Sequence, residues 1–185
     1  MNILVYFLFL IWFFTLGAAA ILYFLFFIDT LYGHDLPTSR RAIREIIKIV
    51  RSFKPDAKNF YDLGCGRGTL ALAVKSEFPE LNVFALDKSG LRLLFARLKN
   101  FVLGRGVIFQ NKNIFDADLR SADILYTYLW YDWMPPLEEK LRKELKTGAI
   151  VITNTSHFSK WQPIATYITY PKKPDFEKLF VYRVE

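Results

Sequence analysis

Asn59-Phe60-Tyr61-Asp62-Leu63-Gly64-Cys65-Gly66-Arg67-Gly68 is the stretch on which the architecture turns. Asn59 to Leu63 is a short apolar strand that carries Asp62 and runs directly into alternating glycines. Thr69 to Phe78 then reads as a helix with Leu70, Ala73 and Val74 on one face, closed by Pro79-Glu80. A second strand, Leu81 to Leu86, ends on Asp87. Strand, glycine turn, helix, strand and acid in that order form a mononucleotide-binding half of a doubly wound α/β fold. The glycines allow a tight turn and close backbone approach to a ligand at the helix N-terminus. Asp87, at the carboxyl end of the second strand, is placed to accept hydrogen bonds from both ribose hydroxyls.

The rest of the domain extends this unit. Leu91 to Leu103 reads as a helix with Leu91, Leu94, Phe95, Leu98 and Val102 on its apolar side, ended by Gly104-Arg105-Gly106. Val107 to Phe109 is a third strand, Asp123 to Leu129 a fourth and Ala149 to Thr153 a fifth. Leu137 to Lys146 is a charged amphipathic helix between the last two, and Ile164 to Tyr170 with Leu179 to Val184 forms a closing hairpin. The expected fold is therefore α/β, a doubly wound seven-stranded sheet.

Ahead of it lies a different composition. The chain has 185 residues, is 52% apolar and carries a formal charge of +7. Residues 1–28 hold no charged side chain, and only Asn2, Thr15 and Gly17 fall outside the apolar set. A helix from Ile3 to Ile28 would measure ~39 Å at ~1.5 Å per residue, longer than a ~30 Å hydrocarbon core. Ala18-Ala19-Ala20 imitates a signal-peptide cleavage site. Against cleavage stand the lack of a basic n-region and the eight apolar residues that follow the alanines. A retained transmembrane helix is the expectation. Arg40, Arg41, Arg44, Lys48 and Arg51 follow it, so the positive-inside rule puts the globular part on the cytoplasmic side. The lack of arginine before the span favours a bacterial or archaeal plasma membrane over an organellar one.

Between Thr38 and Phe53, Ile43, Ile46, Ile47 and Val50 recur at helical spacing. That helix either lies on anionic lipid or opens the following domain. The chain divides into a transmembrane helix (1–28), a juxtamembrane linker with an amphipathic helix (29–54) and the ligand-binding domain (55–185). Cys65 is the single cysteine, which excludes a disulfide scaffold and a multi-cysteine metal site, and no metal is expected. His34 and His157 support no nucleophilic triad and read as surface or packing residues.

Glycine spacing points to the ligand. A dinucleotide site wants G-x-G-x-x-G. Here Asp62 precedes glycines at 64, 66 and 68, an E/D-x-G-x-G-x-G pattern that resembles the class I S-adenosylmethionine-dependent methyltransferases. The resemblance implies S-adenosyl-L-methionine as cofactor, with Asp62 helping to bind its cationic amino end. It also implies that Asn113 reads the adenine amino group while Ile114 packs on the ring. Trp133-Met134-Pro135-Pro136-Leu137-Glu138-Glu139-Lys140-Leu141, Glu144 to Ala149, Asp35-Leu36-Pro37-Thr38-Ser39 and Trp161-Gln162-Pro163 narrow the likeness. Together they resemble the small membrane-anchored lysine methyltransferases that include the ATP synthase c-subunit and adenine nucleotide translocase enzymes. In that family Pro37-Thr38-Ser39 matches the segment that closes over the donor. Cys65 and Arg67 stand where the family more often has Ser or Thr and Asp, and Lys88-Ser89 where it has Asn-Pro. The donor-binding candidates are thus Pro37, Thr38, Asp62, Gly64, Cys65, Gly66, Gly68, Asp87, Lys88, Asn113 and Ile114.

Methyl transfer to an amine needs a neutral nucleophile aligned behind the sulfonium methyl, and positioning supplies much of the rate. Tyr128-Leu129-Trp130-Tyr131-Asp132-Trp133 follows the fourth strand, at the sheet edge where such folds build sites. Tyr128 and Tyr131 could line a lysine channel, and Asp132 could orient the amine or take its proton. The same aromatics could instead pack locally or touch lipid, which leaves Trp130 and Trp133 open between these roles. The expected function is a membrane-anchored methyltransferase acting on a lysine of a membrane protein. Alternatives are a lipid or other membrane-resident acceptor, or a donor-binding assembly factor without catalysis. A nucleic-acid substrate is not expected, because Leu129-Trp130-Tyr131-Asp132 replaces the Asn-Pro-Pro-aromatic motif and the basic residues form no single strip.

Overall fold

The architecture is that of a computed structural model, which describes residues 3–32 and 36–185, the side chains of residues 29–32 excepted. His34 and Asp35 lie outside the described residues. Contacts group the chain into residues up to Leu36 and a second unit from Pro37 to Glu185.

The first unit is one helix, α1 (Ile3–Tyr32). Its Ile3–Ile28 part has a mean hydropathy of 2.3 and none of its apolar side chains is buried. Length and composition suit a membrane span, as the sequence led one to expect.

The second unit begins with α2 (Arg40–Phe53), whose N-terminus is capped by Ser39: its Oγ accepts from the Ala42 N–H at 3.1 Å. Ala42, Ile46, Ile49 and Val50 are buried, so α2 packs as the first helix of the domain. Its basic residues stay at the surface, and the Arg41 guanidinium sits 4.3 Å from the Tyr170 ring centroid.

Strands β1 (Asn59–Leu63), β2 (Asn82–Asp87), β3 (Ile108–Asn111), β4 (Ile124–Thr127), β5 (Ile150–Asn154), β6 (Ala165–Ile168) and β7 (Lys178–Arg183) form one sheet in the order β3-β2-β1-β4-β5-β7-β6. The first five are parallel, and β7 enters antiparallel beside β5. β6 pairs with β7 as the expected hairpin. The order reverses between β1 and β4, which makes the crevice above their carboxyl ends the switch point.

Helices α3 (Thr69–Glu77), α4 (Gly90–Leu103) and α5 (Met134–Glu144) complete the fold. A core of α2 and α3 with Phe60, Val83, Ile124, Ile152 and Val181 covers one sheet face. α5, with Leu137 and Leu141, and Leu145 just after it cover the other against Leu63, Leu125 and Val151. α5 starts three residues before the expected Leu137 because Pro135 and Pro136 occupy its first turn, where a missing N–H costs nothing.

One expectation is overturned. Leu94, Leu98 and Val102, assigned from their spacing to the buried side of α4, are exposed. The helix instead packs by a narrow stripe of Leu93 and Ala96, while Asn100 exchanges two hydrogen bonds with the backbone of Val107. Periodicity identified an apolar face but not which neighbour covers it.

Candidate functional site

Strand alternation assembles the site. Side chains two residues apart share a face, so the apolar Phe60, Ile124 and Ile152 of the α2/α3 core carry on that face to Asp62, Tyr126 and Asn154 at the strand ends. The register sets Asp62 beside Tyr126 and Tyr126 beside Ile152. Glu177, just before β7, shares the face of Leu179. Four polar groups thus meet above an apolar floor, and all are nearly inaccessible to solvent.

A hydrogen-bond network joins three of them, Tyr126, Asn154 and Glu177. Asn154 Nδ2 donates to Tyr126 Oη and to Glu177 Oε1, both at 3.2 Å. The Glu177 Oε2 atom accepts from Ser39 Oγ at 2.7 Å and from Thr169 Oγ1 at 2.6 Å. Thr38 Oγ1 lies 2.9 Å from Tyr126 Oη. The Pro37-Thr38-Ser39 segment is therefore tied to the carboxyl end of β4 and to Glu177 just before β7, and Ser39 both caps α2 and holds Glu177. Burial pushes the Tyr126 phenol well above its ordinary pKa, with Asp62 and Glu177 adding to the shift, so it acts as a neutral hydroxyl.

The glycines expected to make a tight turn adopt left-handed backbone geometry, with φ of 77°, 53° and 70° at Gly64, Gly66 and Gly68. A Cβ at Gly68 would come within 2.7 Å of the Phe109 ring and 3.3 Å of Ala96 Cβ. The Gly64 and Cys65 N–H groups both donate to the Leu86 carbonyl at 2.9 Å, pinning the turn to β2. Asp87 braces it from the other side: Oδ2 accepts from the Gly66 N–H at 2.9 Å and Oδ1 from the Ser89 N–H at 2.8 Å. Each oxygen keeps a further lone pair for a ligand.

Asp62 lies behind the turn, below the first turn of α3. Burial, reinforced by the charge of Asp87, raises its pKa to about 7, partly offset by the Ala71 N–H. Such a group favours a cationic ligand only when ionised. Affinity for a ligand bearing an α-ammonium group should therefore be about tenfold lower at pH 6 than on the ionised plateau, and should fall again above ~8 as the ammonium deprotonates. Titrating S-adenosylhomocysteine between pH 5.5 and 9 checks this. In Asp62→Asn the acid limb should vanish and binding should weaken at all pH values.

The other sequence candidates fall around this centre. Asn113 is exposed and caps a short 3-10 turn (Ile114–Asp116), its Oδ1 accepting from the Phe115 N–H at 3.1 Å. Ile114 is half-buried, Cys65 is half-buried, and Lys88 is exposed beside Asp87. Burial raises the Tyr128 phenol pKa, opposed by a hydrogen bond with the Thr155 side chain. Tyr131, at the surface, donates to the Thr155 carbonyl at 3.0 Å and meets the His157 ring edge-on. Asp132 is exposed in the same 3-10 turn, Tyr131–Trp133.

Thr155 itself is unusual: a β-branched residue at φ 64°, a conformation that costs on the order of 1–3 kcal/mol. Its N–H donates to the Lys178 carbonyl at 2.8 Å and its hydroxyl to Asn154 Oδ1 at 3.1 Å. The strain sits at the end of β5, between the tyrosine pair and the Asn154 network.

Sequence reasoning missed Tyr126, Asn154, Thr155 and Glu177. A polar residue ending an apolar strand marked Asn154. Glu177 carried no local signal, since Ser39, its partner, is 138 residues away.

Buried Asp62, Asp87 and Glu177, on one face beside a left-handed glycine turn, form a donor set suited to a cationic nucleoside and hostile to a pyrophosphate. Comparison with known proteins agrees. The family model for the ANTKMT methyltransferase domain matches residues 62–165. A protein-lysine N-methyltransferase of Saccharolobus islandicus is 28% identical over 131 residues, 69% of this chain and 80% of that one. A release factor glutamine methyltransferase of Bacteroides thetaiotaomicron is 32% identical over 79 residues, which span 43% of this chain and 28% of that relative. In fold, the chain is similar to an RNA methyltransferase of Salinibacter ruber solved with S-adenosyl-L-homocysteine. The TM-score is 0.70 at 18% identity, covering 80% of this chain and 94% of that one. The chain belongs to the ANTKMT methyltransferase domain family and is an S-adenosylmethionine-dependent methyltransferase.

Proposed function

We propose that the protein is anchored by α1 in a membrane and methylates a lysine of a membrane protein at the cytoplasmic face. The observation that carries the anchored reading is the uncharged Ile3–Ile28 helix, long and apolar enough to cross a bilayer, followed by the basic cluster from Arg40 to Arg51. The likeness to a protein-lysine N-methyltransferase over most of both chains supports lysine as acceptor.

Within this reading the residues divide by position. Asp87 binds the donor ribose and Asp62 its ammonium group. Gly64, Cys65, Gly66 and Gly68 provide the turn around its amino-acid end, while Asn113 and Ile114 take the adenine and Lys88 flanks the ribose acid. Pro37 and Thr38 cover the donor from the start of α2. Tyr128 and Tyr131 guide the lysine stem, and Asp132 at the rim orients the amine or receives its proton. The bound donor supplies an electrophilic methyl group. The chain's own task is to hold a neutral amine in line with it and to keep bulk water out.

Radiolabelled methyl donor and isolated membranes test the acceptor. The full chain should label the protein fraction, with the label recovered as methyllysine after hydrolysis. Label confined to the lipid extract would instead support the lipid acceptor, and none in either fraction would support a binding protein without catalysis. Asp132→Ala should lower the rate without changing donor affinity, as expected of a group that meets only the acceptor.

A further inference from the structure

The exposed side of α4 is not explained by donor binding or by the acceptor channel. Leu94 (52% exposed), Leu98 (58%), Phe101 (85%) and Val102 (73%) fall within about 80° to 100° of one another around the helix axis, at 100° per residue. Ile108, at the start of edge strand β3, adds to the same edge of the sheet. Folding normally buries such a row, yet here the core takes only Leu93 and Ala96.

The stretch of sequence that carries this row has charge of one sign. From Lys88 to Lys112 the chain holds Lys88, Arg92, Arg97, Lys99, Arg105 and Lys112, with no Asp or Glu between Asp87 and Asp116. Apolar side chains along the open face of a helix, in a stretch of sequence that carries cations and no acid, are the composition of a helix lying in an anionic bilayer interface. A symmetric second copy is disfavoured by the same pattern, since a two-fold contact would bring this cationic stretch against itself.

We infer that the α4 face seats the methyltransferase domain on the surface of an anionic bilayer, with Leu94, Leu98, Phe101 and Val102 entering the headgroup layer and Lys99 and Arg105 meeting lipid phosphates. The inference rests on the anchored reading for the bilayer being within reach. It adds which surface of the domain touches the membrane.

The test uses the full chain reconstituted in phosphatidylglycerol/phosphatidylcholine vesicles, with a photoreactive benzophenone side chain placed at Leu98 or Phe101. Control probes sit at Leu10 in α1 and at Lys143, on the solvent face of α5. Illumination should yield lipid adducts at Leu98 and Phe101, several-fold fewer in pure phosphatidylcholine or at 0.5 M salt, and none at Lys143. Lys99→Glu combined with Arg105→Glu should lower the yield at Phe101 several-fold while leaving S-adenosylhomocysteine affinity unchanged. Adducts at Leu10 without any at Leu98 or Phe101, or protein–protein adducts at those two positions, would overturn the inference and leave the anchor intact. No adducts at Leu10 would overturn the anchored reading and this inference with it, while donor binding in the same vesicles reports independently that the site is folded.

Discussion

Asp87→Ala is expected to weaken S-adenosylhomocysteine binding by two to four orders of magnitude. In the proposed donor site Asp87 accepts from both ribose hydroxyls; hydrogen bonds to a charged acceptor contribute roughly 1.5–3 kcal/mol each, and on that reading the substitution removes both. It also strips the Gly66 and Ser89 N–H groups of their partner, so the glycine turn loses the brace between β1 and β2. Asp87→Asn keeps the shape and one oxygen and should fall between the wild type and the alanine variant. Calorimetric titration, with circular dichroism to confirm folding, gives the comparison. A folded Asp87→Ala protein within threefold of wild-type affinity would show that the ribose is held elsewhere.

Gly68→Ala should be among the most destabilising single substitutions in the domain, by about 2–5 kcal/mol. At φ 70° a side chain costs ~1–2 kcal/mol on backbone grounds alone. The new Cβ would also stand 2.7–2.8 Å from two atoms of the Phe109 ring, adding ~1–3 kcal/mol of overpacking. For a domain of this size the combined effect corresponds to a fall in midpoint temperature of roughly 5–15 °C. A double-mutant cycle separates the two causes: in a Phe109→Ala background Gly68→Ala should cost less, because only the backbone part remains. Equal cost in both backgrounds would mean that the ring gives way freely.

The β1 to Asp87 unit was legible because each of its rules is local. Glycine freedom, strand alternation and the placement of an acid at a strand end need no distant partner. The seven strands followed from the same logic, although β4 ends at Thr127 rather than Leu129, where the chain turns toward the tyrosine pair. α4 shows the limit. Its apolar spacing is that of a packed helix, yet solvent-facing and core-facing stripes have the same period, and only tertiary contacts tell them apart. Glu177 and Ser39 show another, since a hydrogen-bonded pair so far apart in sequence exists only once β7 has inserted beside β5. The aromatic run after β4 was read as a group, whereas the fold sorts it by exposure. Tyr128 turns inward with Tyr126, while Trp130, Tyr131 and Trp133 face outward at the rim.

That sorting suits an enzyme whose acceptor approaches from outside along an aromatic rim and whose donor is held behind buried acids. Glu177→Gln would remove charge from the network while preserving its shape. Since Ser39 and Thr169 both donate to Oε2, it should loosen the start of α2 more than it changes the glycine turn.

The most direct measurement is quantitative mass spectrometry of lysine methylation across the membrane proteins of cells that lack the gene, complemented with the wild type or with Asp87→Ala. The account predicts one or a few membrane-protein lysines methylated with the wild type and unmodified in the deletion and the Asp87→Ala strain. An unchanged lysine profile together with a methylated lipid lost in the deletion would contradict it.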